Sequence, residues 1–386
     1  MKAYESVENY DSRIREYANY SYRQSRNVCK NIGKREAGSK EENDLQQYVK
    51  NELESCADVV ETEKFKFQKD TKILQNKVGA IFFICSAALT IVSVLLNISA
   101  LSLAGIIAAA AGIVLSFTGK IYAPKKLESS NVYALKKPSG DIKNRIVFVS
   151  NPDCVRTAKL DSSALKFFSV LSGMISAVLG VIMVLSPGFA EGKIRFFAIP
   201  VAVFVIFDVI ILFSSYTGVL DGANKNLSGI FTSIAVLKYL KDMKIDMTCT
   251  EIVVVVAGAH EAGLSGAKHF VINHSEQFKD NAKVICLDCL REDKNLRIEA
   301  GKPESGLAKE LKASAKEAGY EIITAGESFA SDAAVFEKNG FAACTLTASG
   351  ENFAKEEDTY EDMKIRTIEA ALKTVMEEVF AVDAKA

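Results

Sequence analysis

Four short stretches of this 386-residue chain carry side chains that could do chemistry: Asn151-Pro-Asp153, the Lys225 of GANKNLSG, His260-Glu261 and Asp288-Cys289. Carboxylates beside an imidazole are the material of a metal site or of general acid–base catalysis. Histidine is scarce: His260, His269 and His274 are the only three, all within fifteen residues. They lack the His-Glu-x-x-His spacing that puts two ligands on one helical face. His269 and His274 fall in the helix expected after a strand and read as surface groups. His260 falls at a strand end, where it can act as a general base near neutral pH or as a neutral hydrogen-bonding partner. One zinc ion on His260, Glu261 and Asp288 is one reading of this set, and no metal at all is the other. No serine or cysteine nucleophile stands beside a second base, which leaves Cys154 and Cys289 as the thiols nearest these positions. CLDC (286–289) has CxxC spacing, but it continues an apolar run and reads as a core strand. Asp208 is a lone acid inside an apolar segment, either a functional group or a lock between helices through Ser172, Ser176 or Thr90.

The elements that must position these groups come in two kinds. Residues 78–96, 101–118 and 167–190 carry no charge, and 196–220 carries one acid. About 20 apolar residues suffice to cross a bilayer core, so the sequence predicts four transmembrane helices in two hairpins, 72–120 and 156–220, with membrane lipids as a partner. The basic flanks of the first hairpin and its uncharged tip place the remaining chain in the cytoplasm. The polar N-terminus has no apolar core of a secretory signal, and eight scattered cysteines read as reduced thiols. A net charge of −1 with no basic domain gives no reason to expect nucleic acid as a partner. The remaining segments, 1–71, 121–155 and 221–386, alternate amphipathic helices with apolar strands. That pattern predicts a single discontinuous α/β domain, a mostly parallel mixed sheet with helices on both faces. Active sites in such sheets gather at the carboxyl ends of the strands, here Asn151–Asp153, Ala259–Glu261, Asp288–Cys289 and the loop after Thr347.

Seven segments of that domain form a series: VCKNIGKREAGSKEENDLQQYVKNELE, NVYALKKPSGDIKNRIVFVSNPDCV, GANKNLSGIFTSIAVLKYL, VVVVAGAHEAGLSGAKHFV, VICLDCL, SDAAVFEKNGFAACTL and ENFAKEEDTYEDMKIRTIEAA. In content and order they resemble the zinc aminopeptidases and glutamate-carboxypeptidase-like enzymes of metallopeptidase family 28. The resemblance implies a site for two zinc ions held by a histidine, a bridging aspartate, a glutamate, an aspartate and a second histidine, with another glutamate as general base. Here Asn151 stands at the first histidine, Lys225 at the bridging aspartate and His260 at the general base. The closing Tyr-His pair is Phe353-Ala354, and Ala333 replaces the histidine of a Ser-Asp-His segment. Asp153, Glu261 and Asp288 keep the family's residue types. An ammonium a few Å from a dication disfavours the metal by several kcal/mol, and the same Lys225 could instead neutralise Glu261, Asp288 and Asp153. The expectation is therefore a membrane-anchored pseudopeptidase with no metal, binding a peptide or a membrane-protein partner. The alternatives are a membrane-bound hydrolase with a single zinc ion, and a four-helix membrane module that uses Asp208 under a regulatory soluble domain.

Overall fold

The structure is a computed structural model that describes residues 2–118, 125–186, 194–292, 296–326, 331–349 and 358–385, with backbone only at 194, 195, 197 and 198. The chain divides into two compact units. Met1–Gln68, Lys126–Val155 and Val219–Ala386 form the first, and Lys69–Lys125 with Arg156–Gly218 form the second.

In chain order, α1 (Tyr10–Asn31), α2 (Lys40–Glu54) and β1 (Val59–Gln68) precede α3 (Lys72–Leu96) and α4 (Ser99–Phe117). After β2 (Lys126–Lys136), β3 (Asn144–Ser150) and β4 (Arg156–Lys159) come α5 (Ser163–Leu185), α6 (Ile194–Leu212) and β5 (Ser215–Val219). The rest alternates: α7 (Ser228–Asp242), β6 (Thr250–Val256), α8 (Ser265–Phe278), β7 (Ala282–Asp288), β8 (Arg297–Ala300), α9 (Gly306–Glu317), β9 (Ile323–Gly326), α10 (Asp332–Lys338), β10 (Ala342–Thr347) and α11 (Ile365–Ala384).

The first unit is an eight-stranded mixed sheet of order β1-β2-β6-β3-β7-β10-β8-β9. Its middle, β6-β3-β7-β10, is parallel. Alternate side chains of these strands feed two separate cores. Ile146, Phe148, Ile252, Val254 and Ile285 pack toward α1, α2, α7, α9 and α11. Val147, Val149, Val253, Val255 and Val284 pack toward α8 and α10. A strand apolar on both faces cannot have one face in water, which is why VVVV and RIVFV sit in the centre of the sheet. The register pairs Ser150 with Val256 and Asp288 with Thr347. The carboxyl ends of four parallel strands are thus level, and whatever follows them shares one edge.

The second unit is helical with an apolar exterior. Leu95, Leu96, Ile107, Phe117, Phe167, Leu185 and Ile199 are exposed, while Ser86, Thr90, Ser102, Ser116, Ser172 and Ser176 are buried. Small residues allow close helix packing: a Cβ on Gly173 would lie 2.3 Å from the Phe83 ring, and one on Gly79 would lie 1.9 Å from Ser116 Oγ. Three helices, Lys72–Leu96, Ser99–Phe117 and Ser163–Leu185, are long and apolar enough to cross a membrane. The apolar stretch of α6, Ile199–Leu212, is shorter.

The sequence expectation of a helix through residue 220 is corrected here. Helix α6 ends at Leu212, and Ser215–Val219 is a strand paired with β4. The polar side chains after Leu212 find partners in that hairpin. Tyr216 Oη donates to Asp70 at 2.8 Å and its ring lies under the Arg156 guanidinium. Thr217 bonds Thr157. The tip of the second hairpin, 187–193, lies outside the described residues.

Candidate functional site

Lys225 is placed by a turn whose shape its neighbours dictate. Gly222 has φ +64°, and a Cβ there would meet Asn226 Oδ1 at 2.3 Å, so glycine alone fits. Ala223–Leu227 then form one π-helical turn before α7, a local widening that recurs at functional sites. Asp358 holds this turn: its carboxylate accepts from the backbone N–H of Asn224 at 2.8 Å and of Lys225 at 3.0 Å. Cys289 N–H donates to Lys225 O at 3.1 Å, tying the turn to the end of β7. Gly229, one turn on, crosses β7 so closely that a Cβ would stand 2.0 Å from Leu287 O. The result directs the Lys225 ammonium at Glu261, with Nζ to Oε1 at 2.5 Å.

Glu261 and His260 are held from below. Ala259, at φ +52°, turns the chain after β6 through a left-handed residue, a conformation non-glycine residues adopt at some cost. Asp153 accepts from His260 N–H through Oδ1 and from Glu261 N–H through Oδ2, each at 2.8 Å. Glu42 holds Ala259 N–H at 2.8 Å in the same way. His260 Nδ1 lies 3.0 Å from Asp332 Oδ2, both side chains buried. Asn151 is bonded to the Asn226 amide, which also donates to the Asp153 carbonyl at 2.9 Å. Fully buried Arg35 binds the carbonyls of Gly33, Pro152 and Asp221 and fixes the loops underneath.

Charge organises this cluster. Burial alone would lower Lys225, but the carboxylates of Glu261, Asp288 and Asp153 outweigh it and raise its pKa, so the ammonium is permanent. Burial also opposes the His260 cation, and the Asp332 charge and hydrogen bond overcome it, lifting the imidazole to about 9. At neutral pH His260 therefore carries its proton and offers no base. Burial pushes Asp153 and Asp288 up to about 6, against the pull of His260 on the first and of Lys225 on the second. Two fixed cations thus stand among four acids.

The two-zinc set implied by the family resemblance does not fit these residues. Lys225 brings an ammonium to Glu261 at hydrogen-bond distance, where a dication would have to sit. The Asn151 amide is engaged with Asn226, and both Asp153 oxygens are engaged with backbone N–H groups. Of the single-zinc set, His260 is bonded to Asp332 and Glu261 to Lys225, so a metal would have to displace both partners. Among the described residues, no group of three or more ligating side chains is arranged to hold a metal ion.

The other predicted positions resolve as follows. Ala333 is buried in the first turn of α10, and Phe353-Ala354 lie outside the described residues. Cys154 and Cys289 are buried, and burial raises both thiols, so neither is reactive. Cys286 lies in β7, as a core strand requires. His269 and His274 lie on α8 and are partly exposed, with side chains 31% and 15% accessible. His269 stacks on Phe65, His274 packs against Tyr133 and Phe270, and each lies within 3.5 Å of Glu63. Asp208 bonds Ser169, and Ser172, one of the partners expected from the sequence, lies close enough to act on the same carboxylate. Sequence reasoning missed Asp332, Asp358 and Glu42. Each sits inside a quoted motif, so their position in those motifs was the signal available.

Comparison with known proteins agrees with this architecture. The sequence profile of Peptidase family M28 matches residues 209–379. No curated protein matches the chain significantly. Among solved structures, the zinc aminopeptidase BSAP of Bacillus subtilis superposes with TM-score 0.59 at 14% identity, over 95% of each chain. An aminopeptidase from Aneurinibacillus sp. strain AM-1 gives TM-score 0.60 at 14% identity, over 96% of this chain and 95% of that one. A glutaminyl cyclase from Porphyromonas gingivalis gives 0.57 at 15% identity, over 96% and 98%.

Proposed function

We propose, from the M28-type zinc-aminopeptidase-like fold that this chain has, that its strand-end cluster works without a metal ion and binds rather than cleaves. One observation carries the reading: the Lys225 ammonium lies 2.5 Å from Glu261 Oε1, so a covalently attached charge neutralises the acids a metal would neutralise. His260, protonated at neutral pH and held by Asp332, cannot take a proton from water. Lys225 and Glu261 are partly reached by solvent, 17% and 23% exposed, as is Asp288 at the end of β7. Lys225 and Glu261 present one charge of each sign to a peptide or protein partner.

The same proposal places this domain on a membrane. The helical unit is apolar outside and small or hydroxylated inside, the reverse of a water-soluble bundle and the pattern of helices packed in lipid. On this reading α3, α4, α5 and α6 all span, in two hairpins, and the basic flanks keep the α/β domain cytoplasmic. The protein is a membrane-anchored pseudopeptidase that serves as a binding or scaffolding module.

A second reading, a hydrolase with one zinc ion on His260, Glu261 and Asp288, draws support from one observation. Asp288 Oδ1 and Asp332 Oδ1 are buried without a hydrogen-bond partner among the described residues. The two readings separate in one experiment on the full chain in detergent: hydrolysis of aminoacyl-nitroanilides with and without added zinc, beside capture of a random peptide pool. The proposal expects no turnover under either condition and peptide retention that Lys225→Ala weakens. Zinc-stimulated turnover abolished by Glu261→Gln overturns it.

A further inference from the structure

Asp208 is the one chemistry-bearing residue of the sequence that the strand-end cluster does not use. It is fully buried in the helical unit. No lysine or arginine occurs within 78–117, 167–185 or 196–212, so no countercharge comes from those segments. Ser169 Oγ donates to Asp208 Oδ1 at 2.5 Å, which satisfies one carboxylate oxygen. The other, Oδ2, is buried with no hydrogen-bond partner among the described residues. Ser172, one turn along α5 from Ser169, lies close enough to act on the same carboxylate. Yet its Oγ is also buried and without a hydrogen-bond partner.

A third such oxygen belongs to the opposite helix. The Oγ of Ser86 on α3 is buried and has no hydrogen-bond partner. Residues on either side of it face α5: Gly173 lies against Phe83, and Thr90 Oγ1 donates to Ser176 O. Phe83, Ser86 and Thr90 share one helical face, so Ser86 lies between the levels of Gly173 and Ser176, within a turn of Ser172. Three buried oxygens without hydrogen-bond partners among the described residues, one of them on a carboxyl group, come from α3, α5 and α6. Native interiors rarely leave such atoms unsatisfied, and an uncompensated carboxylate in an apolar bundle is costlier still.

We propose that Asp208 Oδ2, Ser172 Oγ and Ser86 Oγ bind a monovalent cation, sodium, inside the helical unit. All donors are hard oxygens, which excludes soft transition metals. A single negative charge is cancelled by a single positive one, whereas a divalent ion would leave net charge in an apolar interior. This site is separate from the strand-end cluster and does not depend on how that cluster functions.

The test measures the thermal midpoint of the full chain in detergent against chloride salts of sodium, potassium and choline at constant pH and ionic strength. Sodium should raise the midpoint saturably by several degrees, with potassium weaker and choline inactive. Asp208→Asn should abolish the sodium response, and Ser172→Ala or Ser86→Ala should raise the half-saturating sodium concentration roughly tenfold. Identical curves in all three salts at every pH, as for a carboxyl that is merely protonated, overturn the site. So does a sodium response that survives in Asp208→Asn. Should Asp208→Asn fail to fold, an unshifted half-saturation in Ser172→Ala overturns it instead.

Discussion

At the scale of residues, the chemistry of the strand-end cluster turns on two cations among four acids. Removing one cation leaves buried negative charge uncompensated. Lys225→Met should therefore destabilise the protein by about 3–5 kcal/mol, the usual cost of breaking a buried ion pair from one side, read as a lower chemical denaturation midpoint. An unchanged midpoint would mean that Lys225 does not neutralise the cluster. His260 makes a second prediction through pH. Its folded pKa of about 9 lies above the ordinary value of 6.5, so the folded chain holds a proton that the unfolded chain releases. That stabilisation is complete below pH 6.5 and is lost as pH rises through about 9, a change of about 3 kcal/mol. Asp153 and Asp288, raised from 3.8 to about 6, act in the same direction at lower pH. Their folded forms also hold the proton more tightly, so stability falls between pH 4 and 6. His260→Gln should flatten the upper arm of the stability–pH curve and leave the lower arm in place. A wild-type curve that is level from pH 6.5 to 9 would contradict the His260–Asp332 assignment.

At the scale of elements, the site depends on how closely α7 crosses β7 and on the turn that precedes α7. A methyl at Gly229 would meet Leu287 O at 2.0 Å, and backbone cannot yield as a side chain can. Gly229→Ala should therefore cost about 1–3 kcal/mol or more. It should also weaken peptide retention, because the shift displaces Lys225 from Glu261. Full stability in that variant would show the crossing to be looser than described. The elements themselves were largely legible. Apolar runs such as VVVV and RIVFV could only be strands buried on both faces, and their carboxyl ends had to align. What could not be read was which acids serve structure. Asp153 matches a family position, yet only the fold shows both its oxygens spent on the backbone of His260 and Glu261. Asp358 and Glu42 look like ordinary charged residues until the turns they hold are formed. Residues 215–219 read as a continuation of the fourth apolar helix because hydropathy alone runs on through Tyr216 and Val219, while pairing between Thr157 and Thr217 is invisible to it. The contacts of His269 and His274 with Glu63 and Phe65 could not be read either, because those partners lie two hundred residues earlier.

At the scale of the whole molecule, a domain of M28-type fold shares the chain with a helical unit with an apolar exterior, which the proposal assigns to lipid. Cys85 lies exposed on α3, within the apolar surface. In native membranes it should resist a charged, water-soluble maleimide and become labelled once detergent and denaturant are added. Ready labelling in intact membranes opened to both faces would place α3 in water. The central claim concerns the metal, and the number of zinc ions per chain tests it most directly. Elemental analysis of the purified full chain, after equilibration with zinc and removal of excess, should find no stoichiometric zinc in the wild type. Lys225→Asp, which restores a ligand and removes the ammonium, should bind measurably more. One or two zinc ions per wild-type chain, bound as tightly as in the variant, would contradict the account.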